Sequence, residues 1–214
     1  MTVPKSLAAR SDLKRGVDCQ RDGAPGAASN EWQFQALAGR LVELSGGHPS
    51  AMLSVCGTLL RQSQLSGELA AWVGLRDSVF FPPDLAANGI DLEQLPVVLL
   101  PEPRSLSLAA ELLVRSGAFA LVLLDLAAAR VALSLADLTR LAGLAKRHRA
   151  LLLCLTEKSR QTPSLGSLVS LRAEVHRRPL GGGRFVCEVE VIKDKRRALG
   201  WTHSELHRGP DGLC

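Results

Sequence analysis

Tyrosine is absent from this 214-residue chain, and aromatic residues of all kinds make up 4% of it. Proteins that hold single-stranded nucleic acid commonly stack bases on aromatic rings, so that mode has few residues to work with here. No apolar run approaches the ~20 residues a helix needs to cross a bilayer. The apolar stretches at 97–100 and 150–155 are short enough to be buried strands instead. No signal-peptide pattern opens the chain, and the expectation is a cytoplasmic protein with no membrane contact. The five cysteines, at 19, 56, 154, 187 and 214, are odd in number and scattered, which argues against a disulfide framework. Cys56 and Cys154 lie in apolar stretches and read as reduced, buried thiols. Neither a G-x-S-x-G elbow nor a Cys/His pairing supports nucleophilic catalysis.

Apolar residues amount to 46%, and the length suits one domain with a substantial core. Charge is unevenly spread. Residues 1–40 carry a net +2, residues 41–139 a net −5 and residues 140–214 a net +8. A C-terminal third this basic suits an acidic partner, whether nucleic acid or protein, although solvated arginines alone would account for it equally well. Residues 1–30 read as an N-terminal arm and linker. Lys5 to Val17 can form an amphipathic helix through Leu7, Leu13 and Val17, and Asp18 to Asn30 has the composition of a linker. Residues 31–214 read as one domain.

From Trp32 onward, apolar strands alternate with helical periods. The pattern predicts strands over 41–45, 69–74, 96–100, 119–125 and 150–155, and helices over 50–64, 83–88, 104–116 and 134–148. That rhythm implies an α/β fold, with a mainly parallel twisted sheet flanked by helices. Residues 167–177 and 184–193 then alternate at period two around Pro179-Leu180-Gly181-Gly182-Gly183, which predicts a C-terminal antiparallel β extension.

After the first strand, Gly46-Gly47-His48-Pro49-Ser50-Ala51-Met52-Leu53 has the outline of a phosphate loop. The working pattern is G-x-x-x-x-G-K-S/T, where Lys reaches the β- and γ-phosphates and the hydroxyl holds magnesium. Counted from Gly46, the second Gly falls on Ala51, the Lys on Met52 and the hydroxyl residue on Leu53. A thioether and an isobutyl group cannot neutralise a triphosphate or bind a hard cation. Asp125, after Leu121-Val122-Leu123-Leu124, stands where open α/β sheets place ligands, but it lacks companions for a magnesium–phosphate site. No cofactor is expected. His203 and His207 are four apart, a spacing that places two imidazoles on one helix face, and Glu205 would point elsewhere on a helix. Zinc needs a third ligand, so no metal is expected. Lys193, Lys195, Arg196 and Arg197 form the densest basic cluster, a candidate partner-binding site whose bland alternative is a solvated strand end.

The order of these pieces resembles the RecA-like superfamily across residues 39–200. Gly39-Arg40-Leu41-Val42-Glu43 is similar to the strand leading into that family's phosphate loop. Gly89-Ile90-Asp91-Leu92-Glu93-Gln94-Leu95 is similar to its G-V-D-x-x-x-L segment, and residues 110–118 to the helix before its Walker B strand. Leu121 to Asp125 resembles that strand, and Val191-Ile192-Lys193-Asp194-Lys195 resembles its V-V-K-N-K strand end. Against the family pattern, the catalytic Glu falls on Asp77 or Arg76, the nucleotide-sensing Gln on Glu157, and both DNA loops are shortened, the second to about residues 158–166.

With these losses, and with Ala71-Trp72-Val73 and Phe81-Pro82-Pro83-Asp84, the chain resembles the ImuA family of RecA-related accessory proteins from bacterial mutagenesis cassettes. The resemblance implies a non-catalytic regulator in SOS-induced translesion synthesis. Its expected partners are RecA and an ImuB-type polymerase-like protein, with DNA contact weak or indirect. In RecA filaments the lysines matching Lys193 and Lys195 reach a neighbour's γ-phosphate. A weak or partner-activated DNA-dependent ATPase, or a DNA-binding accessory factor of a polymerase complex, are the alternatives.

Overall fold

The computed structural model describes residues 31–46, 49–78, 80–128, 132–198 and 200–209. The arm and linker read at 1–30, together with Cys19, Gly47, His48 and Cys214, lie outside them, as do the side chains of Pro49 and Ser50. Among the described residues the elements run α1 (Phe34–Leu37), β1 (Leu41–Gly46), α2 (Pro49–Leu65), β2 (Leu69–Leu75), α3 (Pro82–Ala87) and β3 (Val97–Leu100). After a 3-10 turn at Pro103–Ser105 follow α4 (Leu106–Ser116), β4 (Phe119–Asp125), α5 (Leu135–His148), β5 (Leu151–Thr156), β6 (Leu171–Gly181), β7 (Arg184–Asp194) and β8 (Thr202–Arg208).

One eight-stranded sheet takes the order β3-β2-β4-β5-β1-β6-β7-β8. β1 to β6 pair in parallel, whereas β7 and β8 add antiparallel. The α/β class, the mainly parallel sheet and the antiparallel extension therefore agree with the sequence pattern. Three details differ from it. The hairpin turn is tighter than a Pro179–Gly183 loop, because β6 continues to Gly181 and the turn is Gly182-Gly183. Both turn residues have positive φ (60° and 69°), as a two-residue hairpin turn requires and glycine permits. The helix expected over 104–116 opens as the 3-10 turn before α4. Residues 202–208 form a strand, not the helix that a four-residue histidine spacing suggested.

Strand periodicity divides the core in two. Val42 and Leu44 of β1 face α1, α2 and α3, while Leu41 belongs with α4 and α5 on the other face. Both faces of the parallel strands are covered, so β5 reads as unbroken Leu-Leu-Leu-Cys-Leu-Thr and is wholly buried. Helix signals are local. Ser134 and Asp137 form a capping box at the start of α5, and Lys146, Arg147 and His148 occupy its last turn, where the helix dipole favours cations.

The connection from β5 to β6 contains no helix. Thr156 ends at the C-terminal edge of the parallel strands, and Leu171 begins beside Val42 at the opposite edge. Residues 157–170 therefore cross back over the α4/α5 face, where Leu165, Leu168 and Val169 join the second core.

Candidate functional site

The phosphate-loop positions can be followed from β1 into α2. Ala51, Met52 and Leu53 are buried, at 1%, 0% and 6% exposure, and Ala51 and Leu53 belong to the core under α2. Met52 folds back on the strand end. A Cβ built on Gly46 would stand 3.3 Å from the Met52 Cγ and 3.3 Å from the carbonyl oxygen of Val175. The residue at the lysine position thus packs against the loop's own backbone. This geometry provides an apolar plug where phosphate binding needs a cation.

Asp125 ends β4, and it is 1% exposed. Its Oδ1 accepts the Ala127 N–H at 3.0 Å, a local turn that orders the strand exit. Cys56 on α2 senses it. Burial first, then the carboxylates of Asp125 and Glu205, push the Cys56 thiol well above its ordinary range. Arg76 and Asp77, which the resemblance sets against a catalytic Glu, are exposed in the turn after β2, and Glu157 is exposed after β5.

The connection from β5 to β6 is pinned in place. Glu43, fully buried on β1, receives the Ser164 hydroxyl at 2.6 Å, the Leu165 N–H at 2.9 Å, the Thr156 hydroxyl at 3.3 Å and the Lys158 ammonium at 3.4 Å. Arg172, the register partner of Glu43 on β6, donates to the carbonyls of Thr162 (2.6 Å) and Ser159 (3.0 Å). Its Nε is buried with no hydrogen-bond partner among the described residues. The segment is thus tied to β1 and β6 through both its backbone and its side chains.

The basic cluster sits at the other end of the sheet. Asp194 closes β7 opposite Leu171, so Lys193 to Arg197 lie at the N-terminal edge of the parallel strands, and the phosphate loop lies at their C-terminal edge. The buried Arg40 side chain holds this end together. Its Nη2 reaches Asp194 Oδ1 at 2.5 Å and the Ser170 carbonyl at 2.9 Å, and the Trp201 indole donates to Asp194 Oδ2 at 3.3 Å. Burial works against ionisation of Asp194, but the Arg40 and Arg196 hydrogen bonds outweigh it and keep the carboxyl below its usual range.

The four cluster residues are not equivalent. Lys193 is half-buried and donates to the Gly166 carbonyl at 3.3 Å, and burial, then neighbouring Lys195, lower its pKa. Arg196 donates to the Gly39 carbonyl, and Arg197 pairs with Glu31 at 2.6 Å. Lys195 is exposed, with no side-chain partner among the described residues.

The histidine pair needs a correction. On strand β8, residues 203, 205 and 207 alternate onto the same face, toward α2. His203 Nε2 lies 2.9 Å from Glu205 Oε1, His207 Nε2 lies 3.1 Å from Oε2, and Thr58 of α2 donates to Oε2 at 2.7 Å. Burial raises the Glu205 pKa, but these donors prevail and hold it at about 2. The His-x-Glu-x-His alternation was the strand signal, and reading it at helical period hid the carboxylate that joins the two rings. No metal-binding group of three or more His, Cys, Asp or Glu side chains occurs among the described residues. Cys56, Cys154 and Cys187 are buried free thiols, in line with the reading of the first two. No described helix is long and apolar enough to cross a membrane.

Comparison with protein-family models finds no match, and comparison with curated proteins finds none either.

Proposed function

We propose that this chain is a RecA-like, non-catalytic regulatory protein of SOS-induced translesion synthesis that binds RecA and restrains its filament. The observation that carries the reading is the contrast between the two sheet edges. At one edge, Met52 and Leu53 are buried where a nucleotide site needs Lys and a hydroxyl. At the opposite edge, Lys193 and Lys195 remain, braced by the Arg40–Asp194 pair.

A RecA filament is a head-to-tail, heterologous assembly, so each subunit offers two different faces. A chain with an intact lysine face and a spoiled nucleotide face docks on a filament end and presents the next subunit with a surface that cannot complete a nucleotide site. Capping follows, rather than growth. An ImuB-type polymerase-like protein is the second partner in this reading, the setting is cytoplasmic, and direct DNA contact is weak. The pinned crossover at 157–170 supports that last point.

Co-precipitation of purified RecA, with and without single-stranded DNA, tests the reading. Saturable RecA capture that weakens in the double variant Lys193→Ala, Lys195→Ala supports it. Capture lost only on deletion of residues 1–29 assigns the contact to the arm instead. Absence of RecA capture together with a micromolar ATP isotherm favours the partner-activated ATPase.

A further inference from the structure

We propose that the edge of β8, which pairs with no further strand among the described residues, is a docking strand for an extended, acidic segment of a partner protein, which adds to the sheet as a ninth strand. This inference does not rest on the RecA reading. It begins from the hydrogen-bond register of β8. The Val191 N–H donates to the Trp201 carbonyl at 3.1 Å and the Gly209 N–H to the Gly183 carbonyl at 2.7 Å. The β7–β8 register is unbroken between those points, pairing Glu190 with Thr202 through to Arg184 with Arg208. In an antiparallel ladder, hydrogen-bonded pairs alternate with non-bonded ones. Residues 203, 205 and 207 therefore spend their backbone groups on β7, and Thr202, Ser204 and Leu206 turn theirs to the open edge.

Edge strands are usually blunted by proline, lysine, a bulge or a covering loop. β8 contains no proline and no lysine, its pairing with β7 shows no bulge, and Leu206 is 63% exposed. Glu205 ties the α2 face of the strand to Thr58. The edge is thus a preformed template for main-chain pairing.

Beside it runs an open groove of about 540 Å³ between β8, α2 and the end of α3, lined by Thr58, Arg61, Gln62, Asn88, Gly89 and His207 among others. Alternate side chains of an added strand would enter this groove. Most of its polar groups are engaged. Thr58 and His207 serve Glu205, Gln62 Oε1 accepts the Phe34 N–H, and Asn88 donates to the Asp84 carbonyl. Arg61 is exposed and has no ion pair or hydrogen bond among the described residues. The wall therefore presents an uncommitted guanidinium, which suits a carboxylate.

Charge also selects among occupants. The chain's own residues 1–30 contain five basic and three acidic side chains, a poor match to Arg61. A second copy would offer β8 itself, whose one carboxylate, Glu205, is already held by three donors. A partner strand with alternating acidic residues supplies what both lack.

The probe is a fluorescein-labelled nine-residue peptide alternating Asp and Val, titrated against the full chain by anisotropy, with the Lys/Val peptide as control. The Asp/Val peptide should bind and the Lys/Val peptide should not. Leu206→Pro removes one outward N–H without touching the β7 ladder and should weaken binding by about tenfold. Arg61→Glu should weaken it at least as much and transfer preference to the Lys/Val peptide. Hydrogen exchange on the unaltered chain gives the same test without a substitution. The amides of Ser204 and Leu206 should slow on peptide addition, while those of His203 and Glu205 change little. No binding of the Asp/Val peptide, equal binding of both peptides, or unchanged exchange at Ser204 and Leu206 overturns the proposal. So does a dimer in sedimentation that Leu206→Pro dissolves, which would make a second copy the occupant.

Discussion

The two edges of the sheet have been treated in opposite ways. At the C-terminal edge of the parallel strands, the loop after β1 places a methionine and a leucine in the core, and Asp125 accepts the Ala127 N–H in the turn after β4. At the N-terminal edge, charge is kept and supported. Arg40, Asp194, Ser170 and Trp201 form a buried polar knot beneath Lys193 and Lys195. A buried ion pair is a poor way to gain stability, since an apolar replacement of similar shape is often as good. Its presence at one edge, while apolar side chains fill the other, points to geometry held at the lysine edge. The difference is one of packing: the loop after β1 is filled with apolar side chains, whereas the opposite edge holds its charges on a buried ion pair.

The largest effect is expected at the retained edge. Asp194→Ala leaves Arg40 buried without its carboxylate, and the cost should be about 3–5 kcal/mol in chemical denaturation. A loss under about 1 kcal/mol would mean that water reaches Arg40 and that the knot is not a brace.

Restoring the other edge should be nearly as damaging. Met52→Lys with Leu53→Thr puts an ammonium and a hydroxyl into buried positions, at roughly 3 kcal/mol or more. Neither this variant nor the unaltered chain should give calorimetric heat with millimolar ATP, because Ala51 and the catalytic-Glu position also differ. Micromolar binding by either would erase the contrast between the edges.

A smaller effect is expected at β8, the strand that neither edge explains. Glu205→Gln weakens the two imidazole contacts and should destabilise by roughly 1–3 kcal/mol. Its pH signature has a definite sign. The folded-state pKa of about 2 lies below the ordinary 4.5, so the stabilisation is complete above pH 4.5 and is lost as pH falls through about 2. Asp137 and Asp194, also lowered, act in the same direction. The thermal midpoint of the unaltered chain should fall across that acidic window, and the Gln variant should start lower and fall less. The smallest change is expected for Asp125→Asn, within about 1 kcal/mol, because Oδ1 can still accept from Ala127.

The strands and helices from β1 to β5 were legible because each is a local signal. Apolar runs of four to seven residues alternate with amphipathic helices, and every bound came within two residues. The apolar Met52 and Leu53 were legible for the same reason, as residue types in a counted frame. What escaped notice depends on distant pairing. Glu43 reads as one acidic residue in a strand, and only the return of residues 157–170 across the sheet shows that it anchors a crossover. Arg40 and Asp194 lie 154 positions apart. For His203, Glu205 and His207, a spacing of four fits both a helix turn and two steps of a strand, and the missing information was the neighbouring strand β7.

The most direct test of the account is the rate of RecA filament extension on single-stranded DNA, followed by light scattering with this chain added below stoichiometry. The account predicts that extension slows at a small fraction of the RecA concentration and that Lys193→Ala with Lys195→Ala abolishes the effect. Extension that is unchanged or accelerated, or slowing that survives loss of both lysines, would contradict it.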